Sequence, residues 1–163
     1  MKNGIKKAMY AGSFDPFTNG QLDIVKEAAE LFDQIFVCIA KNPNKQRKTD
    51  ALVMANAIEQ TLKENNIDNA IVVIHVGLVA DFCAQNNIEY LVRGLRNTSD
   101  YMYEENIAKI NAEVNPNLKT VYFRAKNDII SSSMVRELYS FGKDVSRYIP
   151  PNIMKILLEN PLS

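Results

Sequence analysis

The chain has 163 residues, a length suited to one domain, and its 47% apolar content allows a full hydrophobic core. Acidic and basic side chains balance at 19 each with no long run of either sign, which argues against a general nucleic-acid or membrane surface. No apolar stretch is long enough to span a bilayer, and the basic start Met1–Lys7 lacks the apolar segment of a signal peptide. A cytoplasmic protein is expected, in which Cys38 and Cys83, far apart and without metal-type spacing, are reduced and buried.

In chain order, Lys7–Tyr10 reads as a first strand and leads into the loop Ala11–Gly20, which is rich in glycine and small polar residues. From Gly20, the apolar residues Leu22, Val25, Ala28, Ala29 and Phe32 recur at helical spacing. Ile35–Ala40 is a continuous apolar run, as in a strand covered on both faces, and Lys41–Lys48 is a polar, basic loop. Leu52, Ala55, Ile58 and Leu62 mark a second helix, and Ile71–Ile74 a third strand that places His75, the only histidine, at its end. Val79, Phe82 and Cys83 belong to a short helix, Tyr90–Val92 to a fourth strand, and Arg93–Arg96 follows that strand at once. A longer helix spans about Asp100 to Val114, and Thr120–Phe123 is a fifth strand. Ser131–Ser133 opens a helix that Gly142 ends, and Pro150–Pro151 opens a last helix carrying Ile153, Ile156 and Leu157.

Alternating strands and helices predict an α/β fold: a doubly wound, Rossmann-like, parallel five-stranded sheet with helices on both faces, formed by residues 1–163 as a single domain. Ligands of such sheets sit beyond the carboxyl ends of the strands, near the switch in strand order. Gly12–Gln21, Lys41–Lys48, Arg93–Arg96 and Asn127–Ser133 each follow a strand, so they are expected to gather along one edge. Lysines, arginines, hydroxyls and helix N-termini collected there suit a polyphosphate and the stabilisation of charge during its transfer. Each piece also has a plainer reading. The first loop can be only a strand-to-helix turn, and the Lys45 loop only a solvated connection. Arg93 and Arg96 can form surface ion pairs with Asp100 or Glu104, and Ser131–Ser133 can be only a helix cap. One histidine excludes a two-histidine metal site and weakens any serine–histidine scheme, and His75 reads as structural or weakly ligand-contacting. Neither cysteine has a plausible activating base, so positioning and charge stabilisation fit better than covalent catalysis.

Gly12-Ser13-Phe14-Asp15-Pro16 with Thr18-Asn19-Gly20 resembles the nucleotidyltransferase signature, His or Thr, any residue, Gly, His. Arg93-Gly94-Leu95-Arg96, Asp100-Tyr101 through Tyr103-Glu104, and Ile130–Ser133 with Val135-Arg136-Glu137 follow in the expected order. Together these segments resemble the bacterial phosphopantetheine adenylyltransferases over nearly the whole chain. The resemblance implies transfer of adenylate from ATP to 4′-phosphopantetheine, giving dephospho-coenzyme A and pyrophosphate in coenzyme A biosynthesis. It implies ATP, 4′-phosphopantetheine, dephospho-coenzyme A and coenzyme A as ligands, magnesium (Mg2+) accompanying ATP, no dedicated protein metal site, and a homohexamer built as a dimer of trimers.

By position, the resemblance assigns Gln21, Lys45 and Arg96 to catalysis. It assigns Ser13, Phe14, Gln21, Gly94, Leu95, Arg96, Glu104 and the run Asn127, Asp128, Ile129, Ile130, Ser131, Ser132 and Ser133 to ATP. It assigns Ser13, Lys45, Val79 and Arg93 to the acceptor. Gln21 stands where the family has a histidine. Glutamine donates from its amide nitrogen but carries no charge. Losing a well-placed donor of this kind costs about 3 kcal/mol, or a hundredfold or more in rate, and glutamine recovers part of it. A slowed enzyme is therefore expected. A second departure follows Lys45, where Gln46–Met54 lacks the family's Glu-Glu-Arg helix start. A same-fold transferase for another phosphate acceptor, such as nicotinate mononucleotide or glycerol phosphate, and a non-catalytic nucleotide- or coenzyme-A-binding protein are the alternative readings.

Overall fold

A computed structural model describes residues 4–126 and 129–159 of the chain. In β1 (Lys7–Gly12) Ala8 to Ala11 are all buried, because the strand lies at the centre of the sheet. Its neighbours are β2 (Gln34–Lys41) on one side and β4 (Tyr90–Leu95) on the other, with β3 (Ala70–Val76) and β5 (Lys119–Arg124) at the edges. The order is β3-β2-β1-β4-β5 and every pairing is parallel, as the alternating pattern predicts. The order reverses between β1 and β4, so their carboxyl ends flank the crevice expected to bind ligand.

Side chains on β1 alternate between two apolar layers. Ala8 and Tyr10 join the larger core, which packs against α1 (Asn19–Leu31), α2 (Ala51–Glu64), α5 (Ser132–Ser140) and α6 (Pro151–Glu159). Met9 and Ala11 face the smaller layer, which holds Cys38 together with Ala80 and Cys83 of α3 (Val79–Gln85). Both cysteines are free and buried, and burial pushes their thiols up to about 11 and about 12. By contrast, α4 (Thr98–Val114) buries only Glu104, leaving Tyr101, Met102, Tyr103, Ile110 and Val114 exposed.

The predicted elements are present, with shifted boundaries. Arg93, Gly94 and Leu95 lie in the last half of β4 rather than in a loop after it, because their pairing with Tyr122, Phe123 and Arg124 of β5 continues to the strand end. An arginine is tolerated there because Glu104 neutralises it, as described below. His75 lies inside β3, one residue short of its end, and α4 starts at Thr98, where the Asn97 side chain accepts the Asp100 N–H. Gly142, with φ 73, follows the end of α5, and the Gly142 and Lys143 N–H groups close onto the Tyr139 and Leu138 carbonyls.

Candidate active site

The turn between β1 and α1 has little freedom. Gly12 leaves no room for a side chain, because a Cβ there would sit 2.9 Å from the Phe14 ring. That ring is buried edge-on between Tyr10 and Phe17, with both centroid distances 5.3 Å, and the Phe14 backbone is left-handed at φ 45. The Asp15 carboxylate accepts the Lys48 N–H at 2.7 Å, the Thr49 N–H at 3.0 Å and the Thr49 hydroxyl. Arg136 of α5 donates to the Asp15 carbonyl. Arg47 donates to the Ser13 carbonyl and, at 3.3 Å, to the Phe14 carbonyl. The turn is therefore held from both sides by segments far away in the chain.

Thr18 and Gln21 form a capping box at the start of α1. The Gln21 N–H donates to Thr18 Oγ1 at 3.3 Å, and Gln21 Oε1 accepts the Thr18 N–H at 2.9 Å. With its oxygen anchored, the amide presents Nε2 to Ser132 Oγ at 3.5 Å. The Ser132 hydroxyl donates to the Pro16 carbonyl at 2.7 Å. These bonds place the N-termini of α1 and α5 side by side, each presenting the positive end of a helix dipole. Between them and the end of β4 opens a cleft of about 320 Å3. Ser13, Phe14, Gln21, Gly94, Arg96 and Ser132 are among the residues that line it.

The two arginines sit differently from each other. Arg93 donates through Nε and Nη2 to the two Glu104 oxygens at 2.7 and 2.8 Å, and through Nη1 to the Ala11 carbonyl at 2.9 Å. This is a mostly buried fork with side-chain exposures of 24% and 10%, not the surface pair the sequence allowed. It leaves Arg93 two N–H groups for a ligand at the cleft wall. Arg96, at the rim, pairs with Asp100 at 2.9 Å, and this hydrogen bond lowers the Asp100 carboxyl below its ordinary range. The buried Tyr10 also lines the cleft, and burial raises its hydroxyl so that it stays protonated.

Among the expected ATP-site residues, Ser13, Phe14, Gln21, Gly94, Arg96, Ile130, Ser131 and Ser132 come together around the cleft. Ser131 also takes the plainer role foreseen for it, since its hydroxyl accepts the Met134 N–H as the cap of α5. Leu95, Ile129 and Ser133 do not line the cleft, and Glu104 acts through Arg93. Asn127 and Asp128 lie outside the described residues. Lys45 is exposed and borders an adjacent depression with Lys41, Arg47 and Asp50. Val79 is half-buried at the start of α3, packed on the smaller apolar layer. Sequence reasoning missed Tyr10, Arg47 and Thr49. Only Thr18 with Gln21 carried a readable signal, the three-residue spacing of a capping box.

Residues 9–138 match the cytidylyltransferase-like family model. Over 155 residues the chain is 36% identical to a phosphopantetheine adenylyltransferase of Staphylococcus haemolyticus, covering 94% of this chain and 95% of that protein. Over 152 residues it is 41% identical to one of Streptococcus pyogenes, covering 91% and 92%. The chain belongs to the phosphopantetheine adenylyltransferase family. The same fold occurs in a solved structure described as Plasmodium falciparum nicotinic acid mononucleotide adenylyltransferase complexed with APC, with a TM-score of 0.70, 15% identity and 96% coverage of both chains. At that identity the likeness is one of fold. In this member of the phosphopantetheine adenylyltransferase family, the helix start that opens onto the cleft carries Gln21.

Proposed function

We propose that this chain transfers adenylate from ATP to 4′-phosphopantetheine, forming dephospho-coenzyme A and releasing pyrophosphate. The acceptor phosphate oxygen attacks the α-phosphorus of ATP, and the bond to the β-phosphate oxygen breaks as pyrophosphate leaves. The observation that carries this reading is the convergence of two helix N-termini, the Gln21 amide and Arg96 on one cleft at the β1/β4 switch. Such a site orients two anions and offsets charge in the transition state, and needs no covalent intermediate. Ser13 and Phe14 contribute hydroxyl and backbone N–H groups to the phosphates, and Ile130 to Ser132 bring the start of α5. Gln21 Nε2 donates to the transferring phosphoryl group. Arg93 holds the acceptor with the N–H groups left by its Glu104 fork, Val79 borders the acceptor's organic arm, and Lys45 swings from its exposed loop to the acceptor phosphate.

Among the described residues no carboxylate lines the cleft, and no cluster of three His, Cys, Asp or Glu side chains is placed to hold a metal ion. These residues do not themselves fit a resident Mg2+; the ion travels on the ATP phosphates. Assembly into a homo-oligomer, a hexamer in this proposal, is supported by the apolar residues that α4 leaves exposed in one chain. A cytoplasmic setting is supported by two free, buried thiols. No helix among the described residues is long and apolar enough to cross a membrane.

The test is ATP-dependent pyrophosphate release with 4′-phosphopantetheine, nicotinate mononucleotide and glycerol phosphate compared as acceptors. Release with 4′-phosphopantetheine alone is expected. Preference for another acceptor reassigns the substrate. Binding of ATP and 4′-phosphopantetheine without release assigns a nucleotide- or coenzyme-A-binding role instead.

A further inference from the structure

The loop between β2 and α2 and the turn between β1 and α1 exchange hydrogen bonds in both directions. From the turn, the Asp15 carboxylate receives the Lys48 and Thr49 N–H groups and the Thr49 hydroxyl. From the loop, the Arg47 guanidinium reaches the Ser13 and Phe14 carbonyls, and its Nε donates to the Thr49 carbonyl at 2.9 Å. The guanidinium also lies 4.0 Å from Asp15, and its side chain is only 13% exposed. Each of its three nitrogens thus donates to a protein carbonyl, and it borders the depression that holds Lys45 rather than the cleft itself.

Trans peptides point their C=O and N–H groups in opposite directions. Holding the Ser13 carbonyl on Arg47 therefore aims the Phe14 N–H the other way, and holding the Phe14 carbonyl does the same for the Asp15 N–H. Ser13 and Phe14 are cleft-lining residues, so the side of the turn away from Arg47 is the side a phosphate meets. Phe14 needs such restraint, since its left-handed φ of 45 is one a non-glycine residue keeps only where its surroundings impose it. Arg47 also draws two carbonyl oxygens, which repel anions, into its own charge.

We infer that Arg47 is a positioning residue for adenylyl transfer: it turns the Ser13 and Phe14 carbonyls away from the triphosphate so that their partner N–H groups face it, and it fixes the Lys45 loop against the same turn. The inference rests on the proposed transfer reaction. It explains how this chain holds its nucleotide turn although Gln46–Met54 lacks an acidic-arginine helix start. Because Asp15 anchors the loop through Lys48 and Thr49 independently of Arg47, replacing Arg47 leaves that anchor in place.

The test compares wild type, Arg47→Lys and Arg47→Gln in steady-state pyrophosphate release, varying ATP and 4′-phosphopantetheine, with thermal melting in parallel. Both variants are expected to lose about 10- to 100-fold in kcat through misplacement of the reacting groups, since lysine cannot fork onto two carbonyls. The KM for ATP is expected to stay within about threefold of wild type, because the loss falls on the transition state rather than on uniform binding. Either variant retaining kcat within about twofold overturns the inference, as does a loss confined to KM or matched by loss of folded protein. A wild type that releases no pyrophosphate overturns the transfer reading and this inference together. An active wild type matched by Arg47→Lys overturns this inference alone.

Discussion

Replacing Gln21 by glutamate separates the two tasks of its side chain. One carboxylate oxygen can keep the 2.9 Å bond from the Thr18 N–H that Oε1 makes now, so the cap of α1 survives. A negative charge in the first helical turn adds about 0.3–1 kcal/mol of favourable dipole interaction. The second oxygen, where Nε2 now faces Ser132 at 3.5 Å, can no longer donate and instead opposes the phosphates. Removing one preorganised donor from such a site costs about 3–4 kcal/mol, or 10²- to 10³-fold in kcat. Pyrophosphate release should therefore fall about 10²-fold or more, while a melt shows Tm unchanged or raised by up to about 3 °C. Turnover within about threefold of wild type would show that Gln21 gives no hydrogen bond to the reacting phosphates. A Tm lowered by more than about 5 °C would show that the cap has been misread.

Gln21→His should raise kcat at least several-fold, since an imidazole that can carry charge is a stronger donor; unchanged turnover in the same assay counts against a role for this position in transfer. Lys45→Ala should impair transfer much more than ATP binding, measured by calorimetry beside turnover, and equal losses in both would contradict the placement of Lys45 on the acceptor phosphate. Glu104→Gln should lower stability by about 2 kcal/mol in a denaturant titration, the low side for a broken ion pair because Arg93 is partly exposed, and a cost near zero would mean the fork holds nothing in place. The thiols of Cys38 and Cys83 are raised to about 11 and about 12, so their contribution to stability is complete below the ordinary thiol value near 9 and is lost as pH rises from there towards 12. Stability that stays flat from pH 8.5 to 11 in cysteine-to-serine comparisons would contradict that burial.

The central strands and the first turn were legible in the sequence for a physical reason. Ile35–Ala40 is apolar at every position because β2 is covered on both faces, and the polar loop after β1 has to satisfy the N-terminus of α1. The end of β4 was not legible. Arg93 and Gly94 look like loop residues until Glu104, one helix later, supplies the carboxylate that lets an arginine stay in the sheet. Arg47 was invisible for a related reason, because its partners are main-chain carbonyls more than thirty residues earlier and leave no side-chain pattern to read. Gln21 was legible as a departure from the family signature. Only the structure shows that its oxygen is anchored and its nitrogen is turned to the cleft.

The most direct measurement follows label from the α-phosphate of ATP. With 4′-phosphopantetheine present, the label should appear in dephospho-coenzyme A in step with pyrophosphate release, and without the acceptor it should stay in ATP. Label that emerges as AMP, or that never leaves ATP while both ligands are bound, would contradict adenylyl transfer at this cleft.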